Sequence, residues 1–197
     1  MSTAMTSSPP ARQRLRVWDL PTRLFHWSLA ASVIGLIVTA KTGAMDWHFR
    51  LGYAVLALLM FRILWGFVGG RWSRFSAFLY SPASLIAYLR GRAAPAHRVG
   101  HTPLGALSVF ALLGVLIVQV LSGLMSDDAI TFTGPLATRV PGGWSSAATD
   151  WHKGPGQWVV IGLLVLSPHL YWLSTHDWMP MHYAERTSLG LHLDTAA

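Results

Sequence analysis

Hydrophobic residues along the chain gather into four long runs, Leu24–Ala40, Leu51–Gly69, Leu104–Met125 and Gln157–Leu173, with polar or Gly- and Pro-containing stretches between them. Each run approaches the roughly 17–25 residues that carry an α-helix across a bilayer. Backbone groups inside hydrocarbon must be satisfied within the segment, so a run of this length reads as a helix. The pattern predicts an all-α, integral-membrane four-helix bundle. A signal-peptide hydrophobic region is the rival reading of the first run, but the run is too long for one and follows a long polar leader.

The stretches between the runs add detail. The segment from Arg71 to Thr102 contains "FSAFLYSPASLIAYLRGR", apolar and aromatic but too broken to span, and predicts a stretch lying on the membrane surface. Ser126–Asp150 is rich in Gly, Pro, Ser and Thr and predicts an exposed cap. Residues 1–16 are expected as a flexible tail, 17–175 as the membrane domain and 176–197 as a cytoplasmic tail. No internal repeat is evident.

Orientation follows from Lys and Arg. Arg12, Arg14, Arg16 and Arg23 precede the first span, and Arg71, Arg74, Arg90, Arg92 and Arg98 lie between the second and third. The opposite side carries Lys41, Arg50, Arg139 and Lys153, diluted by Asp46, Asp127, Asp128 and Asp150. Both termini are therefore expected in the cytoplasm, with the spans in contact with membrane lipid.

Composition narrows the chemistry. Charged residues are 12% of the 197, about half the share of a soluble domain. Cysteine is absent, which excludes disulfides, Cys-held iron–sulfur clusters, thiolate zinc sites and the C-x-x-C-H attachment of c-type haem. A net charge of +7 raises nucleic acid as a partner. The basic residues, however, sit in short clusters beside apolar runs and no nucleic-acid motif occurs, so none is expected.

Any metal must then rest on His, Met or carboxylate, and four of the nine histidines stand at the ends of spans. His26, in "RLFHWSLAASVIGLIVTA", is near the inner start of span 1, and His169, in "LLVLSPHLYW", near the inner end of span 4. His48, in "DWHFRLGY", and His152, in "TDWHKGPGQW", flank the outer side. Along one helix His152 and His169 would stand about 25 Å apart, so they cannot share a metal. Pairing across helices works at both depths, His48 with His152 outside and His26 with His169 inside.

Two such pairs are what two stacked b haems need, each iron closed by two neutral imidazoles and suited to electron transfer. Membrane anchoring beside Trp is the plainer role for a single interfacial histidine. Arg62, the one charge well inside a span, either snorkels to the interface or pairs with an inner-haem propionate. His101, in "GHTPLG", is a helix-start residue or a contact to a propionate or a quinone. His97, His176, His182 and His192 read as solvated loop and tail residues.

Four stretches carry a family resemblance: "VWDLPTRLFHWSLA", "HFRLGYAVLALLMFRILWGFVGGRWSRFSAF", "GHTPLGALSVFALLGVLIVQVLSGL" and "DWHKGPGQWVVIGLLVLSPH". Together, from Val17 to His169, they resemble bacterial cytochrome b-561, in the branch shared with the b-type cytochrome subunit of nickel–iron hydrogenases. The resemblance implies a four-span di-haem protein of the bacterial inner membrane, passing electrons between the quinone pool and a periplasmic redox protein, cytochrome c or hydrogenase-like subunit. It also implies that His26, His48 and His152 are axial ligands. The family usually has a second span-4 histidine fourteen residues after the first; that position is Leu166 here, and the nearest histidine is His169, behind Pro168. Three residues turn a regular helix by about 300°, so Leu166 and His169 face different ways unless Pro168 or Gly154–Pro155–Gly156 makes the helix irregular.

Two other function classes are weighed. A transporter or channel with a His/Arg62 proton relay meets spans that hold no Asp or Glu. An intramembrane metalloprotease lacks any H-E-x-x-H. The expectation is an electron-transfer subunit, with a quinone-reactive oxidoreductase activity and a homodimer left open.

Overall fold

The computed structural model describes residues 19–90, 92, 102–128 and 132–175, with side chains through Leu166. Both expected tails, His101 and the side chain of His169 lie outside the described residues.

Helix α1 (Leu20–Thr42) starts at Asp19, whose carboxylate accepts from Thr22 N at 2.9 Å, with Pro21 in the first turn. This is the usual N-cap chemistry, with a proline whose missing N–H would have had no helical partner. It ends at Gly43, which adopts the left-handed φ of 74° that favours glycine. Helix α2 (Met45–Val68) follows after Ala44. It begins six residues before the apolar run, because "MDWHFR", though broken by Asp46, His48 and Arg50, is helix-compatible, with Asp46 in the first turn. That extension puts His48 on a helix.

The Arg71–Thr102 segment holds a 3-10 turn at Phe75–Ala77 and helix α3 (Pro82–Leu89), capped by Ser81. Helix α4 (Pro103–Met125) starts at Thr102, whose hydroxyl accepts from Gly105 N at 3.1 Å. Helices α1, α2 and α4 are long and apolar enough to cross a membrane, and 17–22% of each apolar window is buried by the rest of the protein. Large apolar side chains such as Trp27, Ile34, Leu64 and Phe67 point outward. So much uncovered apolar surface suits hydrocarbon rather than water.

The Ser126–Asp150 segment is largely exposed, as expected of a cap, but more regular than its composition suggests. It contains a 12-residue helix, α5 (Gly142–Lys153), with Ser145 and Ala148 buried. Ser145 Oγ donates to Met125 O (2.9 Å) and Thr149 Oγ1 to Asp127 O (3.2 Å), so α5 satisfies carbonyls left open at the end of α4. Apolarity misses this face because its residues, Ser145, Ala148, Thr149 and His152, are small or polar. Helix α6 (Pro155–Thr175) then begins afresh. Gly154, at φ −106° and ψ −110°, separates it from α5, so His152 and His169 are not on one helix as the sequence suggested.

Helix α1 packs on α2, α4 on α5 and α6, and α2 on α4. The core is built from Phe25, Leu29 and Val33 of α1, Val55 and Leu59 of α2, Leu113 and Leu116 of α4, and Val160 of α6. The four-residue steps on α1 and α2 give each helix one inward stripe.

Candidate haem site

The end of this core at the C-termini of α1 and α4 brings His48 and His152 together. Their ring centres are 6.2 Å apart and their planes are at 88°. His48 Nδ1 lies 3.1 Å from Leu36 O, and His152 Nδ1 lies 2.8 Å from Gln119 O. A carbonyl can only accept, so each Nδ1 carries the proton and donates, leaving Nε2 as the lone-pair nitrogen. In the neutral form each ring thus keeps Nε2 available to a metal. Burial, reinforced by His48 and Lys153, holds His152 below the ordinary histidine range against the opposing pull of its bond to Gln119 O. Burial therefore favours the neutral ring of His152, on α5.

The spacing fits one metal between the rings. An imidazole nitrogen binds a transition metal at about 2 Å, and the ring centre is about 1 Å further back, so two in-line ligands have centres about 6 Å apart. Among the described residues no three His, Cys, Asp or Glu come together as a metal site. Two imidazoles alone suit a metal that brings its other ligands with it, as a porphyrin does. Room exists beside the pair. A Cβ on Gly52, one turn after His48, would meet nothing within 4 Å.

Helix α4 holds His152 from several sides. Gln119 Nε2 donates to His152 O at 3.0 Å, capping a carbonyl at the end of α5. Gly123 leaves space for the ring, since a Cβ there would stand 2.7 Å from His152 Cε1. Sequence reading missed Gln119, Ser122 and Gly123. A signal existed: Gln119 is a lone amide inside "VLIVQVLSG", and polar residues within spans call for a partner.

At the other end, His26 is exposed on α1, its ring 5.7 Å from that of Trp27 and nearly perpendicular to it. It is not brought to another of the expected site histidines among the described side chains. Arg62 does not snorkel; it is 5% exposed, donates from Nη1 to Ser73 O at 3.3 Å and covers the Phe75 ring at 4.8 Å. Asp19 is a further residue that the sequence reading left out. Besides capping α1 it accepts from Ser73 Oγ (2.8 Å) and Trp65 Nε1 (3.2 Å), within electrostatic reach of Arg62.

Apolar, membrane-length helices that bring two imidazoles side by side at one end suit the class of membrane b-type cytochromes. The model of the prokaryotic cytochrome b561 family matches residues 17–182, and the chain belongs to that family. A curated relative, the "Probable Ni/Fe-hydrogenase B-type cytochrome subunit" of Azotobacter chroococcum mcd 1, is 26% identical over 82% of this chain and 80% of its own. No solved structure matches. Membership makes this a transmembrane electron-transport cytochrome with haem b as its cofactor.

Proposed function

We propose that the chain is a four-span, di-haem electron conduit of the bacterial inner membrane, with both termini cytoplasmic. His48 and His152 would hold the outer haem, and His26 and His169 the inner one. Bound haem would supply a one-electron couple; the chain's part is to offer two imidazoles to each iron and keep water away. The observation that carries the reading is the His48–His152 pair, with both Nδ1 protons directed to carbonyls and ring centres 6.2 Å apart.

Arg62 and His101 are assigned to the cofactor region of the inner side. Arg62 makes one hydrogen bond among the described residues, to Ser73 O, which leaves further guanidinium donors for a haem propionate. Quinone is the electron partner in the membrane. A periplasmic redox protein is the other partner, a cytochrome c or a hydrogenase-like subunit, the latter favoured by the name of the Azotobacter relative.

Haem quantified against protein in the purified chain tests the reading, with two b haems per chain expected. A value of one would remove the His26–His169 pair and leave the outer site alone. Gly123→Ala is expected to push on the His152 ring and lower haem retention, read as a reduced haem-to-protein ratio. An unchanged ratio would show that the ring, crowded at 2.7 Å, can yield without loss of ligation.

A further inference from the structure

We propose that the hydroxyls of Thr39 and Ser122 are matched positioning groups that hold the Nδ1 protons of His48 and His152 and so set the donor strength of both rings; this rests on the reading that these histidines ligate one iron. Each histidine meets the same device on the helix before it. His48 Nδ1 lies 3.1 Å from Leu36 O and 3.3 Å from Thr39 Oγ1. His152 Nδ1 lies 2.8 Å from Gln119 O and 3.3 Å from Ser122 Oγ. Carbonyl and hydroxyl are three residues apart in both cases, on α1 and on α4, so they share a helix face.

The direction of the hydroxyls follows from their other bonds. Thr39 Oγ1 donates to Gly35 O at 2.8 Å or to Leu36 O at 3.1 Å. Ser122 Oγ donates to Gln119 O at 2.9 Å. With its hydrogen committed to a carbonyl, each hydroxyl offers only lone pairs to the imidazole. Nδ1–H is thereby shared between two acceptors, which pushes the ring toward imidazolate character and strengthens Nε2 as a donor. A stronger donor favours ferric over ferrous iron and lowers the potential of the couple. Ser122 is 4% exposed, so water cannot replace its hydroxyl and the interaction is undiluted.

The repeat has no counterpart in the chain's apolar pattern, since a main-chain carbonyl has no sequence signature. Its two halves differ in one respect. Helix α4 adds the Gln119 side chain, which grips the main chain of His152, so that ring is the more firmly placed of the two.

The test uses the full-length haem-loaded protein in detergent, with redox titration followed in the b-type absorption band. The outer haem is identified as the component that His48→Ala removes. Thr39→Val, nearly isosteric, and Ser122→Ala are each expected to keep the haem content and raise the outer midpoint potential, and the double variant to raise it further. Thr39→Ser is expected to retain the parent potential. Should Ser122→Ala fail to accumulate, Ser122→Cys, whose sulfur is a feebler acceptor, is expected to move the potential the same way. A merely structural role would lower thermal stability and leave the potential in place, and that result overturns the inference. An outer haem retained in full by His48→Ala overturns the ligand assignment itself. Haem lost there, with potentials unmoved in Thr39→Val and Ser122→Ala, overturns only the role of the hydroxyls.

Discussion

His48→Ala and His152→Ala are each expected to remove one and the same haem, leaving about half of the cofactor of a two-haem protein. The two variants should have matching reduced-minus-oxidised spectra, because either truncation opens the same iron. The expectation stands on the 6.2 Å ring separation and on the two Nδ1-to-carbonyl bonds. Those bonds fix the ring orientations before any cofactor is considered, so the loss is local to the site. Haem is to be normalised to chain in the membrane fraction, since cofactor binding also stabilises the fold by mass action. Full haem content with an unchanged spectrum in either variant would sink the pairing.

Asp19→Ala is expected to destabilise the protein by about 2–4 kcal/mol, combining a lost helix N-cap with two donors left without their acceptor. Thr22 N, Ser73 Oγ and Trp65 Nε1 all converge on this carboxylate, and Ser73 and Trp65 belong to the far end of α2 and the turn after it. The variant therefore loosens the tie between the start of α1 and the end of α2. Burial pulls the Asp19 carboxyl up, but the combined bonds from Thr22, Ser73 and Trp65 hold it below its usual range. A lowered carboxyl favours the folded state above the unfolded value of about 4, and the gain is lost as pH falls through the lowered value. Thermal unfolding in detergent should show the gap between parent and Asp19→Ala closing in acid. A gap that is constant with pH would assign the effect to shape rather than charge.

The placement of these two clusters shows what the sequence could and could not convey. Hydropathy located α1, α2 and α4, since a long apolar run admits few structures but a helix. The His48–His152 encounter was legible too, because two histidines flanking spans on one side are forced to similar depth. Helix α5 was not legible, as its inward face is Ser145, Ala148, Thr149 and His152 rather than an apolar stripe. Nor were the groups that hold the rings, for Leu36 and Gln119 act through main-chain oxygen, which every residue has. Arg62 was noticed for its charge, yet its burial against Phe75 depends on the chain folding back after α2.

The break at Gly154 also bears on how such a chain can change over time. On an unbroken helix, inserting or deleting one residue rotates everything beyond it by about 100°, so two ligands on that helix are locked in phase. Here the turn acts as a clutch. Residues gained or lost at Gly154 re-aim α6 while His152 stays gripped by Gln119 and Ser122 on α4. Counting from His152 into α6 across this turn thus does not follow the regular 100° step of one helix. The two ends of the protein can be tuned separately, and tolerated length changes should concentrate at this joint.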